Sequence, residues 1–339
     1  MAKAYSANDV TTMRTEGVDL APRIWQLVDD IAAKTSFLPE REFLRQSAWW
    51  KTGKVGAVHL PGILLQDGKE TRAILKIQGT KPPTSEATMI TEFSRQNKSK
   101  IIRPPHIYAH LPWNEIRQYE AIIMEEVKGQ PAKDLDQFFN LYEEYRANCR
   151  NFPWVAKPQE YNYRERVSNW QAAVAEEVKR DHLGLSTDKE LTEKAIKIIE
   201  DNTTVDDLEF VHGHFQPGDL IVTASGEAVL FSNLFWGWKN PFYDAVFGYH
   251  WRMLGMGGVE NLTSEMLEAE RQKWLSKIYN LAEVKKHHGG KHLIDLALLE
   301  RAVPALMVDR YMLDADKLQT PLIVEAARKE LKRLVSLFD

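Results

Sequence analysis

The sequence predicts an α+β protein with two lobes: a small lobe with an antiparallel five-stranded sheet and one helix, and a large, mostly helical lobe. Its 339 residues exceed the usual size of a single compact core. Strand-like runs are concentrated before residue 128, whereas helical spacing of apolar residues predominates after residue 133. We therefore expect a flexible arm at 1–17, a small lobe at 18–128 and a large lobe at 129–339.

Composition limits the classes of function. A net charge of −4 and a pI near 6.2 argue against a general nucleic-acid binder or a protein that binds anionic membranes. No run approaches the roughly 20 apolar residues of a membrane helix, and the N-terminus is polar. The single cysteine, Cys149, excludes an intramolecular disulfide and is typical of a reducing compartment. We expect a cytoplasmic protein whose small-molecule or protein partner and oligomeric state the sequence leaves open.

The small lobe begins with a helix and continues mainly as strands. Apolar residues from Leu20 to Ile31 recur at helical spacing. A second helix, capped by Thr84 or Ser85, should extend to about Asn97. The Asp67-Gly68 pair predicts a hairpin turn. Strands are predicted at 47–52, 55–65, 71–78, 104–109 and 118–127.

The large lobe should consist of helices around one β-hairpin. Helices are predicted at 133–149, 160–182, 187–201, 241–255, 263–286, 291–314 and 320–337. Short strand-like segments at 209–212, 220–223 and 228–231 predict a hairpin within 209–232, which we expect to carry the site.

The most informative stretch is the loop of this hairpin. It reads Val211-His212-Gly213-His214-Phe215-Gln216-Pro217-Gly218-Asp219-Leu220-Ile221-Val222. Two apolar runs flank a tight polar loop, which predicts strand, loop and strand with side chains presented at a site. The loop resembles the catalytic loop of the aminoglycoside phosphotransferase and choline kinase family, His-Gly-Asp-(Leu/Phe)-His-Pro-Gly-Asn followed by a hydrophobic strand. The resemblance implies a bilobal protein-kinase-like fold and phosphoryl transfer from ATP.

Two further positions resemble the nucleotide site of that family. Lys76 lies at the centre of the apolar strand 72–77, where the resemblance implies a lysine on the nucleotide phosphates. The alternative is a strand lysine that reaches solvent. Glu86 matches the glutamate partner of that lysine, although an acidic residue is also favoured in any first helical turn. Glu92 is the competing candidate for the partner.

Three other segments extend the resemblance. The segment 120–129 resembles the connection between lobes, in which Glu125 and Val127 would lie beside the adenine. A weaker signal is the pair Gly53 and Gly56, in a loop that would lie over phosphates. Asn240-Pro241-Phe242-Tyr243-Asp244-Ala245 resembles the Asp-Pro-X-Tyr-Asp-Leu segment of the family, which implies that Asp244 braces the catalytic loop.

The departures from the family pattern concern its chemistry. His214 stands at the position of the catalytic aspartate, and Asp219 stands at that of a metal-binding asparagine. The second metal-binding aspartate corresponds to Ser232, or to Asn233 if the alignment slips by one residue. Because magnesium prefers anionic oxygen, we expect it to bind weakly or not at all, with Asp219 as its remaining ligand.

These departures lead to two principal hypotheses. The first is a kinase-like pseudoenzyme that has lost magnesium-dependent phosphoryl transfer and binds a nucleotide, a small ligand or a protein. The second is an atypical ATP-dependent phosphotransferase in which Asp219 holds the metal and His214 acts as base or a substrate group takes the proton. His214 is also explained as a loop histidine bonded to backbone. Transfer of another part of the nucleotide is a third hypothesis. The aromatic segment 234–238 either fills part of the phosphate site or forms core.

Overall fold

A computed structural model describes the greater part of the chain. The described residues are 4–5, 14–15, 18–19, 21–41, 44–46, 57–78, 84–117, 119–132, 134–150, 153–173, 188–286, 289–309 and 320–339. The predicted loop with Gly53 and Gly56 lies outside these ranges. Within them, every helix is too short or too polar to cross a lipid bilayer.

The described strands and helices follow one another in this order. The strands are β1 (Ala4–Tyr5), β2 (Arg14–Thr15), β3 (Val18–Asp19), β4 (Phe37–Pro39), β5 (Leu44–Gln46), β6 (Ala57–Gln66), β7 (Lys69–Gln78), β8 (Ile102–Arg103), β9 (Ile107–Leu111), β10 (Glu120–Glu125), β11 (Gln130–Pro131), β12 (Glu209–Val211), β13 (Leu220–Val222), β14 (Ala228–Leu230) and β15 (Gly237–Lys239). The helices are α1 (Ala21–Thr35), α2 (Glu86–Gln96), α3 (Leu135–Asn148), α4 (Tyr163–Ala173), α5 (Lys189–Asn202), α6 (Tyr243–Gly255), α7 (Ser264–Tyr279), α8 (Ala282–Lys286), α9 (Gly290–Met307) and α10 (Thr320–Val335).

The chain forms two compact units. The first consists of residues 1–95, 103–130 and 221–234, and the second of residues 96–102, 131–220 and 235–339. The main crossing between them therefore follows Gln130, whereas the sequence placed the lobe boundary after residue 128. Residues 221–234 belong to the first unit, although the sequence assigned the whole hairpin at 209–232 to the large lobe.

The first unit is built on the predicted antiparallel sheet. Its strand order is β1-β5-β6-β7-β10-β9, and β4 pairs with the second half of β6, at residues 62–64. Five of these strands form the expected sheet, and the short strands β1 and β4 extend it. The expected first strand at 47–52 lies outside the described residues, whose corresponding strand ends at Gln46. Strands of two or three residues are too short to show alternation in the sequence, which is why β1 and β4 were not predicted.

Alternation along β7 determines where its lysine lies. Ala73, Leu75 and Ile77 pack in a core with Val28 and Ile31 of α1, on one face of the sheet. Because successive side chains of a strand point to opposite faces, the intervening residues of β7 face the other side. On that side, Ile74 packs with Ala87 of α2 in a second apolar cluster. Lys76 shares this face and is thereby directed toward α2.

The second unit is organised around α9, which is buried on nearly every side. Pro304 lies inside this helix and has no N–H to donate to the carbonyl of Glu300. The hydroxyl of Tyr163 donates to that carbonyl instead, which satisfies the buried acceptor. Because Tyr163 belongs to α4, this hydrogen bond connects α4 to α9 at the position where Pro304 interrupts the helical bonding.

Most of the remaining helices lie near their expected positions. The helix expected at 291–314 ends at Met307, and the expected helical residues 174–182 and 310–314 lie outside the described residues. One further prediction differs. The predicted helix at 263–286 is two helices, α7 and α8, separated near Asn280. The Asn280 side chain donates to the carbonyl of Ser276 at 2.8 Å, and the Asn280 backbone leaves the helical conformation. Asparagine at such a position competes for backbone hydrogen bonds and ends the helix.

Candidate functional site

The loop at 212–219 belongs to the second unit and is anchored by a two-stranded sheet. β12 pairs with β15 in antiparallel register, with Phe210 opposite Trp238 and Val211 opposite Gly237. The loop begins directly after β12. A single 3₁₀ turn at Pro217–Asp219 ends it, where the Gln216 side chain accepts from the Gly218 N–H. The predicted strand, loop and strand are therefore present, but β12 and β13 do not pair as a hairpin: β13 lies in a separate sheet, between β11 and β14.

Asp244, in the first turn of α6, holds the loop through its backbone. Its Oδ1 accepts from the Gly213 N–H at 2.7 Å, and its Oδ2 accepts from the His212 N–H at 3.1 Å. Tyr145 of α3 donates its hydroxyl to Oδ2 at 2.6 Å and accepts from the same His212 N–H at 2.7 Å. Burial and the facing carboxylate raise the pKa of Tyr145 well above its usual value, so the phenol remains a donor. The geometry agrees with the bracing role that the resemblance implies for Asp244.

Gly213 is required by the conformation of this loop. Its φ is +79°, a region that side-chain-bearing residues rarely adopt. A Cβ here would lie 2.5 Å from the carbonyl oxygen of Phe235 and 2.7 Å from Nζ of Lys239. The close approach of Lys239 therefore depends on the glycine.

His214 and Asp219 form a pair within the loop. Nδ1 of His214 lies 2.6 Å from Oδ2 of Asp219, with both side chains mostly buried. Burial opposes ionisation of Asp219, but His214 and a hydrogen bond from Gln216 outweigh it, so the pKa of Asp219 lies below its usual range. This hydrogen bond engages the Nδ1 nitrogen of His214. The second ring nitrogen, Nε2, takes no part in the bond to Asp219. The His214 N–H also approaches Nδ1 of His212 at 3.3 Å.

Aromatic rings surround the His214 imidazole. Phe235 stacks on it with ring centroids 4.5 Å apart and planes at 17°. Phe247 contacts it at 4.5 Å, and Trp251 lies edge-on at 6.0 Å. Trp236, by contrast, is buried and stacks on Phe210, so this part of the aromatic segment 234–238 is core, as one of the two expectations held.

A group of charged side chains near the loop was not predicted from the sequence. Lys239 of β15 is half-buried and donates to the Phe235 carbonyl at 3.1 Å. Burial and the nearby Arg166 lower the pKa of Lys239 to about 8. Arg166 pairs with Glu300 at 2.5 Å. Burial raises the pKa of Glu300 above its usual value, although Arg166, Lys239 and Arg301 oppose this. An isolated lysine in a strand gave no signal that it would approach a loop 25 residues earlier in the chain.

The first unit brings Lys76 and Glu86 together. Nζ of Lys76 bonds to Oε2 of Glu86, with side-chain exposures of 12% and 3%. Glu92 instead pairs with Arg95 on the outer surface of α2. The geometry therefore selects Glu86 over Glu92 as the partner of the lysine, and it excludes a lysine that extends freely into solvent.

The predicted adenine-binding segment has one engaged and one available position. The Glu125 carboxylate accepts from Arg103 at 2.6 and 2.8 Å, which holds its pKa below the usual value. Val127 is half-buried, and its backbone N–H and C=O form no hydrogen bond within the described chain. Free backbone groups after an apolar strand suit the edge of a planar base.

Ser232 and Asn233, the two alternatives for the second metal position, differ in their surroundings. Asn233 is fully buried, and its side-chain amide donates to the Leu230 carbonyl at 2.8 Å. Ser232 is partly exposed and has a φ of +62°, a region in which Asp and Asn are enriched among non-glycine residues. Ser232 is therefore the better counterpart of a family aspartate. It belongs to the first unit, as do Lys76 and Glu86, whereas His214 and Asp219 belong to the second.

The donor set fits magnesium poorly. Asp219 is the only carboxylate in the stretch 211–222, and its Oδ2 is bonded to an imidazole. In the described part of the chain, no three side chains among His, Cys, Asp and Glu are grouped so as to hold a metal ion. Magnesium requires several oxygen ligands, whereas this loop offers one carboxylate, and one of its oxygens is hydrogen-bonded to His214.

The second unit also contains a cavity of about 320 Å³ between α6, α7, α9 and α10. Tyr249 and His250 of α6 line it, whereas Phe247 and Trp251 of the same helix contact His214. The cavity therefore lies on a different face of α6 from the loop.

Comparison with solved structures identifies the fold. The chain is similar to the aminoglycoside phosphotransferase APH(4)-Ia, with a TM-score of 0.54 and 12% identity over 92% of this chain and 98% of that chain. A thermostable mutant of that protein, in a ternary complex with AMP-PNP and hygromycin B, gives a TM-score of 0.52 and 11% identity over 92% and 97%. The spectinomycin phosphotransferase APH(9)-Ia, in complex with ADP and spectinomycin, gives 0.50 and 11% over 92% and 96%. No protein-family model and no curated protein matches the sequence. The expected protein-kinase-like fold of the aminoglycoside phosphotransferases is thus confirmed.

Proposed function

We propose that this chain, with the fold of an aminoglycoside phosphotransferase, is a kinase-like pseudoenzyme that binds a nucleotide or another small ligand and has lost magnesium-dependent phosphoryl transfer. The observation that carries the proposal is the 2.6 Å bond between His214 and Asp219. The catalytic carboxylate of the family pattern is absent from position 214, and the carboxylate at 219 is bound to the residue that replaced it. The loop thus retains one acidic group, and one oxygen of that group is already hydrogen-bonded to its neighbour.

Nucleotide binding is supported by the first unit. The Lys76–Glu86 pair provides a positioned ammonium for phosphate oxygens, and the backbone of Val127 is available to a base. ATP and ADP are therefore the first ligands to examine, since two structural neighbours are in complexes with ADP or AMP-PNP. Loss of the metal donors affects catalysis more than it affects this contact.

Binding and turnover should be measured together. We expect ATP and ADP to raise the Tm of the protein equally with magnesium and with EDTA, and we expect Lys76→Ala to abolish the shift. A ligand at a hundred times its Kd stabilises the folded state by about 2.7 kcal/mol, which is a readily measured shift. Lys197→Ala is the matched control, because Lys197 is exposed and pairs with the equally solvent-facing Asp201 on α5. Magnesium-dependent turnover of ATP that Asp219→Ala removes would refute the proposal.

A variant that restores the family pattern provides a second test. His214→Asp, Asp219→Asn and Ser232→Asp together return the acidic groups to their expected positions. Aspartate is tolerated at the positive φ of residue 232. We expect nucleotide binding to become magnesium-dependent in this triple variant and not in the wild type. The reverse pattern would contradict the assignment of these three positions.

The same pair also favours an active enzyme as the second candidate. Asp219 can hold the proton of His214 on Nδ1 and leave Nε2 to accept a proton from a substrate hydroxyl, as carboxylates do for catalytic histidines elsewhere. An atypical phosphotransferase would then lose activity in both His214→Ala and Asp219→Asn, with a pH profile governed by the pair. Lack of turnover with a broad panel of hydroxylated acceptors would exclude it.

A further inference from the structure

A lysine without an ion-pair partner lies against the loop of the second unit. Nζ of Lys239 donates to the Phe235 carbonyl at 3.1 Å, and within the described residues no carboxylate pairs with it. A Cβ on Gly213 would lie 2.7 Å from this Nζ, so the ammonium contacts the residue that directly precedes His214. Phe235 accepts from the lysine through its carbonyl and stacks its ring on His214. The ammonium therefore contacts Gly213, the residue before His214, and Phe235, the residue whose ring stacks on His214.

The charges around Lys239 do not supply the missing partner. Arg166 and Arg301 repel its ammonium, while Asp244 and Glu300 attract it. Each carboxylate is engaged elsewhere: Glu300 pairs with Arg166, and Asp244 accepts from the backbone of the loop. Glu209, opposite Lys239 on β12, pairs with Arg150 instead. The ammonium does lie over the Tyr243 ring, 5.5 Å from its centroid, but an aromatic face and one carbonyl leave its positive charge without a carboxylate among the described residues. A partly buried ammonium is normally paired with a carboxylate, so this exception indicates a binding role.

Lys239 lies at the edge of the interior rather than in the core. Lys239, Tyr161 and Trp170 are partly exposed residues, and the Arg166 side chain is 26% exposed. The Arg166 guanidinium lies over Tyr161, 5.5 Å from the ring centroid. The Lys239 ammonium, the Arg166 guanidinium and the Tyr161 ring thus belong to one region of the second unit, a composition that suits a compact acidic molecule.

We propose that Lys239, assisted by Arg166, anchors a carboxylate or phosphate group of a small acidic ligand bound beside His214. The inference deepens the proposed ligand-binding function and rests on it. It names the class of ligand: an anion should be preferred to an amine-bearing cation such as the hygromycin B bound in one structural neighbour. The ammonium supplies charge and three donors, and Arg166 retains donors that Glu300 does not occupy.

Inorganic phosphate and malonate are the probes, with sodium chloride at matched ionic strength as the reference. We expect both anions to raise the Tm of the wild type, and calorimetry to give a Kd that Lys239→Met weakens at least about tenfold. Lys239→Arg should bind within about threefold of the wild type, because it keeps the positive charge. Binding should decline as the pH rises through about 8, where Lys239 loses its proton.

Controls separate this subsite from the nucleotide site. Lys76→Met should leave malonate binding unchanged and abolish the response to ATP. Lys239→Met should weaken malonate binding and leave the response to ATP unchanged. If ATP fails to bind while malonate binding still depends on Lys239, the proposed nucleotide site is wrong and the anion subsite stands. An equal malonate response in wild type and Lys239→Met, or tighter binding of hygromycin B than of malonate, would overturn the inference. Circular dichroism of each variant verifies that it is folded.

Discussion

Replacing Lys239 by methionine should stabilise the protein. Methionine has about the length of lysine and a similar unbranched apolar stem. The substitution therefore mainly removes the ammonium of a half-buried residue, which lacks an ion-pair partner in the described chain. Burial and Arg166 lower the pKa of Lys239 from 10.5 to about 8. The folded state thus holds this proton less tightly than the unfolded chain does.

The magnitude and its pH dependence follow from that difference. Each pKa unit corresponds to about 1.4 kcal/mol, so the charged lysine costs the fold at most about 3.5 kcal/mol below pH 8. Partial exposure reduces this cost, and the lost bond to the Phe235 carbonyl offsets about 1 kcal/mol. We expect the methionine variant to gain about 1–2 kcal/mol at pH 7. As the pH rises from about 8 to 10.5, the wild-type lysine becomes neutral in the folded state and the gap should close.

Urea denaturation of both proteins at pH 7 and pH 10 measures the gap. Lys197→Met is the matched control, since Lys197 is exposed and its pair with Asp201 contributes little; its free energy of unfolding should change by less than about 0.5 kcal/mol. A less stable Lys239→Met variant at pH 7, or a stability difference that is the same at both pH values, would refute the reasoning.

Three further outcomes are expected. Asp244→Ala removes a buried acceptor of three hydrogen bonds and should lower the free energy of unfolding by about 4 kcal/mol; a loss under about 1 kcal/mol in urea would contradict its bracing role. Gly213→Ala should cost about 2–3 kcal/mol because of its φ of +79° and a backbone oxygen 2.5 Å from the new Cβ, whereas Gly226→Ala, at φ +85° in open space, should cost less. His214→Ala should shift acid unfolding to higher pH. The depressed pKa of Asp219 contributes stability that is present above 3.8 and lost as the pH falls through its folded value, and that contribution depends on His214. Tryptophan fluorescence against pH monitors this change.

The sequence predicted best what local pattern determines. The alternation of β7 identified Lys76 as a charge between apolar residues, and the structure places Lys76 on the face directed toward α2. The choice between Glu86 and Glu92 was beyond the sequence, because both lie on α2 and only the position of the helix against the sheet decides it. The length of α7 was overestimated because the effect of Asn280 depends on a side-chain bond to Ser276.

The residues that sequence reasoning missed are those brought together by distant parts of the chain. Lys239 reaches Gly213 through the pairing of β12 with β15, and Arg166 approaches from α4. Tyr145 supports the loop from α3, 67 residues before His212. Neither the spacing of residues nor the composition predicts such long-range contacts, because a lone lysine or tyrosine has the same neighbours in sequence whether it lies on a surface or in a site.

The frame of the loop and its chemistry depend on different atoms. Asp244 and Tyr145 hold the loop through backbone N–H groups, which are present whatever side chains stand at 214 and 219. The family pattern has aspartate and asparagine at these two positions, and this chain has histidine and aspartate, so the carboxylate has in effect moved five residues along the loop. A mostly buried carboxylate there is costly unless it is paired, and His214 provides the pair at 2.6 Å. The two departures therefore compensate each other and are best understood as one coupled change, which keeps one carboxylate in the loop and engages its Oδ2 with His214.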